Sequence, residues 1–238
     1  MKVIDAFWDT RSLGVKTAEI NVSEEDTITD IDETLGSVDA GYVVIKVPSG
    51  LSDITMHVQS KGFVFIEDLI SVEHDLHEVS RSRILQRMYD SVTYHVMDED
   101  DILFLYDEVR KGMFSTDRIS LDPKFGPEVA ATRYVNWLKD LIENGAVPYS
   151  LMYRDDREGF IILRDNKDGT YTSVLGAAYE KYRKSGLGIV QKEQEIVKGL
   201  GGKKVLTAVS SNNAAQVRAL ISNGYNTTHI EHVFVKHI

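Results

Sequence analysis

The segment Arg183-Lys184-Ser185-Gly186-Leu187-Gly188 carries the residue types that bind a diphosphate through the main chain. Glycines at 186 and 188 remove the β-carbons that would hold an anion away, so successive N–H groups can converge on phosphate oxygens at a helix N-terminus. The helix dipole adds partial positive charge there. Taken alone, R-x-x-G-x-G is a weak signal, since glycine also punctuates strand-to-helix loops for turn geometry only. Two other groups invite chemistry. Glu73-His74-Asp75-Leu76-His77-Glu78 sets two histidines at i and i+3, a spacing that can face one metal, but it lacks a third committed ligand and reads as a solvated face. No metal is expected. Tyr134 and Trp137 could stack on a nucleotide base, yet an aromatic pair at helical spacing reads as core.

Composition narrows the chemistry further. The 238 residues contain no cysteine, which excludes disulfides, thiol nucleophiles and thiolate-bound metals, so any catalysis must use oxygen or nitrogen groups. The apolar and charged fractions, 42% and 27%, are those of a globular protein. No apolar run reaches the ~20 residues that span a bilayer, and no signal-peptide apolar stretch opens the chain; a cytoplasmic protein with no membrane partner is expected. A net charge of −10 argues against nucleic-acid binding. The charge is uneven: residues 1–115 carry 10 basic and 23 acidic side chains, residues 116–238 carry 17 and 14. An anionic ligand finds the second half more hospitable.

The elements that must position the glycine turn can be read from periodicity. In the first half, 42–47 and 62–66 read as short buried strands. Ser23 can cap a helix carrying Ile28, Ile31 and Leu35, and Ser49 or Ser52 can precede one carrying Ile54 and Val58. Residues 67–100 give no clear element. Asp98 to Asp101 put negative charge at the start of a helix with Ile102, Leu105, Tyr106 and Val109 on one face. A boundary near 115 divides the chain into 1–114, a small α/β domain, and 115–238. Pro127 opens a helix through Tyr134, Trp137, Leu138, Leu141 and Ile142, ended by Gly145. Residues 158–165 and 170–178 read as a hairpin turning at Asn166-Lys167-Asp168-Gly169 and leading into the glycine turn. A helix from Ile189 to Leu200, a strand over 204–210, a helix capped by Asn212 or Asn213 and stopped by Gly224, and a strand over 229–236 complete the chain. That final strand is expected to be an edge available for pairing into a homodimer. No repeat is visible.

The order hairpin, R-x-x-G-x-G turn, helix, strand ending in Ser-Ser-Asn-Asn, helix, Gly-Tyr, strand resembles the acyl-CoA-binding half of the GNAT superfamily of N-acetyltransferases. Phe7-Trp8-Asp9-Thr10-Arg11-Ser12-Leu13-Gly14-Val15 is similar to the opening segment of the TDP-fucosamine acetyltransferase group, with leucine in place of the usual phenylalanine. Asp117-Arg118-Ile119-Ser120-Leu121-Asp122-Pro123, followed by Tyr134 and Trp137, resembles that group's linker and helix. The resemblance implies an α/β (α+β) fold with a mixed, largely antiparallel central sheet flanked by helices, the acetyl-CoA site lying in 115–238. It also implies that the strands over 170–178 and 204–210 splay to admit acetyl-CoA. Diphosphate contacts then come from Arg183, Lys184, Ser185, Gly186, Leu187 and Gly188, pantetheine contacts from Leu175, Gly176, Ala177 and Ala178, and a further contact from Asn213.

The implied reaction is transfer of acetyl from acetyl-CoA to a primary amine by direct attack in a ternary complex. The group's acceptors are amino-sugar nucleotides; an aminoglycoside, an amino acid or a protein N-terminus are the alternatives. One position departs from the family: Leu220 stands where a tyrosine often protonates the leaving thiolate. Tyr179, Tyr182, Tyr225 or water can serve instead, or the chain binds acyl-CoA without turnover. A main-chain N–H around Ala178 and Tyr179 is expected to polarise the thioester carbonyl. Glu180, His229 and His232 lie on segments that could supply a base but read as ordinary surface or strand residues. Asp117 and Arg118 are candidates for substrate contact, or for an ion pair with each other.

Overall fold

The computed structural model describes residues 1–77, 82–185 and 187–238. Its frame is one ten-stranded sheet in the order β1-β2-β3-β10-β4-β9-β8-β7-β6-β5. The strands are β1 Lys2–Asp5, β2 Thr17–Asn21, β3 Tyr42–Pro48, β4 Val64–His74, β5 Val92–Val96, β6 Val147–Tyr153, β7 Asp156–Asp165, β8 Thr170–Ala178, β9 Lys204–Ser210 and β10 Asn226–His237. The helices are α1 Phe7–Leu13, α2 Ile28–Ser37, α3 Ser52–Ser60, α4 Arg83–Asp90, α5 Glu99–Arg110, α6 Arg118–Leu121, α7 Gly126–Glu143, α8 Ile189–Gly199 and α9 Ala214–Ser222. Among the described residues, only β2–β3 and β8–β9 pair in parallel. This is the mixed, largely antiparallel sheet flanked by helices that the sequence implies.

Burial explains why particular segments took these forms. β3 has four consecutive residues, Tyr42 to Ile45, with no exposure, because both of its faces are covered. Val43 and Ile45 pack with Ile31 of α2 and with Ile54 and Val58 of α3. Tyr42 and Val44 pack with Ile119 of α6 and Ala130 of α7 on the other face. The cap of α2 is Thr27, in a reciprocal pair with Asp30, rather than Ser23, whose hydroxyl is taken by Asp26. Asp98 caps α5 as its sequence suggests.

The stretch with no clear element turned out to hold the rest of β4, α4 and β5. Glu67 and His74 are buried on β4, so polar residues occupy inward positions and erase the alternation by which a strand is recognised.

Strands from either side of residue 115 interleave. β10 lies between β3 and β4, bonded to both, while β5 pairs with β6. The expectation that the last strand is an exposed edge is therefore corrected: both hydrogen-bonding sides of β10 are used, and the open edges belong to β1 and β5. The sheet order also discloses a repeat absent from the residue pattern. Reading β1-β2-β3-β10-β4-β9-β8-β7, the succession strand, strand, helix, parallel strand, helix, strand occurs twice, as β1 to β4, where the short α1 is inserted between the first two strands, and as β7 to β10. Each unit gives its last strand to the other.

Candidate functional site

The two units differ at one decisive place. β2 and β3 are paired along all of β2, from Thr17↔Tyr42 to Asn21↔Lys46. β8 and β9 pair only at Thr170↔Lys204, Tyr171↔Val205 and Thr172↔Leu206, then part. Val174 is the residue skipped where the β7–β8 register shifts, so β8 bulges where the fork opens. Thr207 Oγ1 donates to Ser173 O at 2.8 Å and bridges the crotch of the fork. Beyond it, the side of β8 that faced β9 has no strand partner.

A cavity of about 690 Å³ begins at this opening and runs to the N-terminus of α8. Gly176, Ala177, Ala178, Tyr182, Arg183, Lys184, Ser185, Leu187, Gly188 and Asn213 all line it. Gly186 lies outside the described residues. Gly188 precedes α8 with φ +88°, and no side chain caps the helix, so its first N–H groups are left to whatever fills the cavity. A β-carbon at 188 would come within 2.6 Å of the Tyr89 ring, which closes over the turn from α4. Arg183 is held by Glu180 and by the main-chain oxygen of Met113, at 2.9 and 2.8 Å. Glu158 also lines the cavity; it is 1% exposed, its Oε2 has no partner, and burial alone pushes its carboxyl up to about 7.

A second cavity, of about 390 Å³, lies on the other side of the fork and shares Phe114, Gly176, Ile189, Asn213 and Gln216 with the first. Leu175 lines it, as do Asp117 and Arg118. Much of its wall comes from the first half of the chain: Trp8, Glu19, Lys46, Glu67 and Leu69. Tyr134 and Trp137 pack in the core as expected, Tyr134 at 8% exposure, and both also line this cavity. Arg118 and Asp117 do not pair with each other. Arg118 and Arg133 both close on the fully buried carboxylate of Asp9, while Asp117 caps α6. That pairing holds the Asp9 carboxyl below its ordinary range despite its burial.

The three candidate tyrosines have different surroundings. Tyr182 lines the larger cavity and donates to Asp156 at 2.8 Å. Tyr225 is 2% exposed, borders neither cavity, and donates to the buried carboxylate of Glu193, which also accepts from Ser173. Tyr179 packs between Phe104 and Phe160 and likewise borders neither. Burial drives the hydroxyls of Tyr179 and Tyr225 far above their usual range. The main-chain N–H of Tyr179 donates to Glu158 O at 2.9 Å, so of the two amides expected to polarise a carbonyl, that of Tyr179 is already taken. Leu220 is buried in the core.

Glu180 is exposed, and His232 binds Asp68 at 2.6 Å. His229 borders a separate shallow cavity. Of the acidic and histidine run near 75, Glu73 and Asp75 meet Lys204, His74 stacks on His77, and Glu78 lies outside the described residues. Sequence reasoning missed Glu67 and Glu158; only a buried acid on a strand would have pointed to either.

No protein-family model matches the sequence, and no curated protein matches it. Solved structures do match the fold. A GCN5-related N-acetyltransferase from Sphaerobacter thermophilus aligns with a TM-score of 0.61 and 10% identity, over 99% of this chain and 75% of that one. A tandem GNAT protein from the clavulanic acid biosynthesis pathway aligns with a TM-score of 0.53 and 9% identity, over 92% and 74%. A GCN5-related glucosamine N-acetyltransferase region of a fungal multi-domain β-N-acetylglucosaminidase aligns with a TM-score of 0.61 and 12% identity, over 82% of this chain and 25% of that one. The chain has the GNAT fold.

Proposed function

We propose that the chain is an N-acetyltransferase moving acetyl from acetyl-CoA to a primary amine, and that its site is the pair of cavities meeting at the β8–β9 fork. The observation that carries this reading is the fork itself: one parallel strand pair opens after three residue pairs, beside an uncapped helix N-terminus. In this reading the diphosphate sits on the turn before α8, held by main-chain N–H groups with Arg183 and Lys184 at hand. The pantetheine arm follows Gly176 to Ala178, and the thioester lies where β8 lost its partner. Unpaired β8 amides near the Val174 bulge can then donate to the carbonyl oxygen as negative charge develops on it. Tyr182 borders the cofactor cavity and, with water, is the available proton source for the departing thiolate.

The smaller cavity takes the acceptor. An amino-sugar nucleotide is the acceptor we favour, on the likeness of the Trp8-Asp9-Thr10 and Asp117-Arg118 segments to their sugar-acetylating counterparts. The fungal neighbour's own designation gives glucosamine as its acceptor, so this fold accommodates an amino sugar. Arg118 Nη1 is buried without a partner and could donate to an acceptor oxygen.

Calorimetry with acetyl-CoA tests the reading. Wild type is expected to bind and Gly188→Ala to bind at least tenfold more weakly, because a left-handed φ costs an L-residue ~1–2 kcal/mol and the new methyl meets Tyr89. Equal affinities would contradict the assignment of the diphosphate to this turn.

A further inference from the structure

We propose that Glu67 is the catalytic base, taking the proton that the acceptor's nitrogen loses as it attacks the thioester. The inference rests on the reading above and deepens it by naming a residue that the sequence pattern did not suggest. It follows from accounting for the carboxylates around the acceptor cavity. Glu193 has both oxygens filled, by Ser173 and Tyr225. Asp117 is spent on the main chain and hydroxyl at the start of α6. Glu19 is held by Lys46 at 2.8 Å. Glu67 is 7% exposed, borders the cavity, and has an oxygen, Oε2, with no hydrogen-bond partner. A buried acceptor left unpaired is costly, and an amine N–H would relieve it.

The cations of the cavity are paired as well, Arg118 and Arg133 with Asp9 and Lys46 with Glu19, with Arg118 Nη1 alone keeping an unpartnered donor among these contacts. The donors near Glu67 are Ser210, whose hydroxyl donates to Thr116 O at 3.0 Å, and Arg118, yet Oε2 is left without a partner by both. Its location in the fold is apt: β4 runs beside β9 on the far side of the fork, with Leu69 opposite Ser210 at the end of β9. Glu67 thus approaches from the acceptor side, where the first unit has lent its last strand to the second. Burial raises its carboxyl above the ordinary range, against opposing pulls from Ser210 and Arg118, and a raised value suits a base that must accept a proton near neutrality.

The step balances as follows. The neutral amine nitrogen bonds to the carbonyl carbon, the carbon–sulfur bond breaks, and sulfur leaves with its electron pair as thiolate. The nitrogen's proton passes to Glu67, which releases it to solvent, and the thiolate takes a proton from water or Tyr182.

The test uses the full chain with acetyl-CoA and three amine probes: a nucleoside-diphosphate-linked glucosamine, free glucosamine and glycine. Glu67→Gln preserves size and is expected to lower kcat about a hundredfold to ten-thousandfold on any probe that wild type acetylates, with the acetyl-CoA dissociation constant unchanged. Glu67→Asp, which keeps the carboxylate, should recover part of that loss. A Glu67→Gln rate within threefold of wild type would overturn the inference, as would a wild type that binds acetyl-CoA and acetylates none of the three. Absence of acetyl-CoA binding by wild type would instead overturn the cofactor reading, and this inference with it.

Discussion

Glu158 shows how a single side chain can tie the cofactor cavity to pH. Its ordinary value of 4.5 is raised to about 7 by burial, with no compensating charge. Between those two values the folded chain keeps a proton that the unfolded chain has released, so this group's contribution to stability falls as pH rises through the window. The shift corresponds to about 3 kcal/mol. Glu158→Gln does not titrate, and its melting temperature relative to wild type is expected to climb from about pH 5 to about pH 8. Acetyl-CoA binding should follow the same logic. Above about pH 7 an ionised Glu158 faces the cavity proposed to take a diphosphate, and wild type should lose affinity there while Glu158→Gln holds it. Parallel pH profiles for the two proteins would contradict the assignment.

At the scale of elements, the buried triad Ser173–Glu193–Tyr225 joins β8 to α8 and to the segment that enters β10. Tyr225→Phe removes one donor from a fully enclosed carboxyl and is expected to cost about 1–3 kcal/mol of stability. The same change should leave kcat within a few-fold of wild type, because the hydroxyl borders neither cavity; denaturant melts and thiol-release rates on the same sample separate the two effects.

The elements around this triad were largely legible in the sequence. The Asp-Gly hairpin, the glycine turn, the 3.6-residue stripe of α8 and the Pro127 start of α7 all announce themselves locally. What could not be read is pairing. Nothing in His229 to Lys236 distinguishes an edge from the middle of a sheet, because an alternating strand serves in either position. β4 was obscured for a related reason, its buried Glu67 and His74 being polar residues with a place in the interior. The candidate site divides along the same line. The half we propose for the cofactor consists of main chain and glycines in one continuous segment, whereas the half proposed for the acceptor is assembled from Trp8, Glu19, Lys46 and Glu67, which the strand exchange brings beside β9.

For the whole molecule, two units of one topology with exchanged last strands make a single sheet in which, among the described residues, the β8–β9 pair is the one that opens. The first unit's parallel pair is closed along β2, and the connection before its helix carries Glu24, Glu25 and Asp26 where the second has glycines. Acetyl-CoA is therefore expected to bind with a stoichiometry of one per chain; calorimetry returning two would mean that the first unit also retains a cofactor site. Any assembly through strand pairing would have to use β1 or β5. The most direct test of the account is a crystal structure of the chain with acetyl-CoA. It should locate the diphosphate on the N–H groups of the turn leading into α8 and the thioester between Val174–Ala177 and the end of β9, with the acetyl group facing Glu67. A cofactor bound elsewhere, or a β8–β9 gap that remained empty at saturating acetyl-CoA, would contradict it.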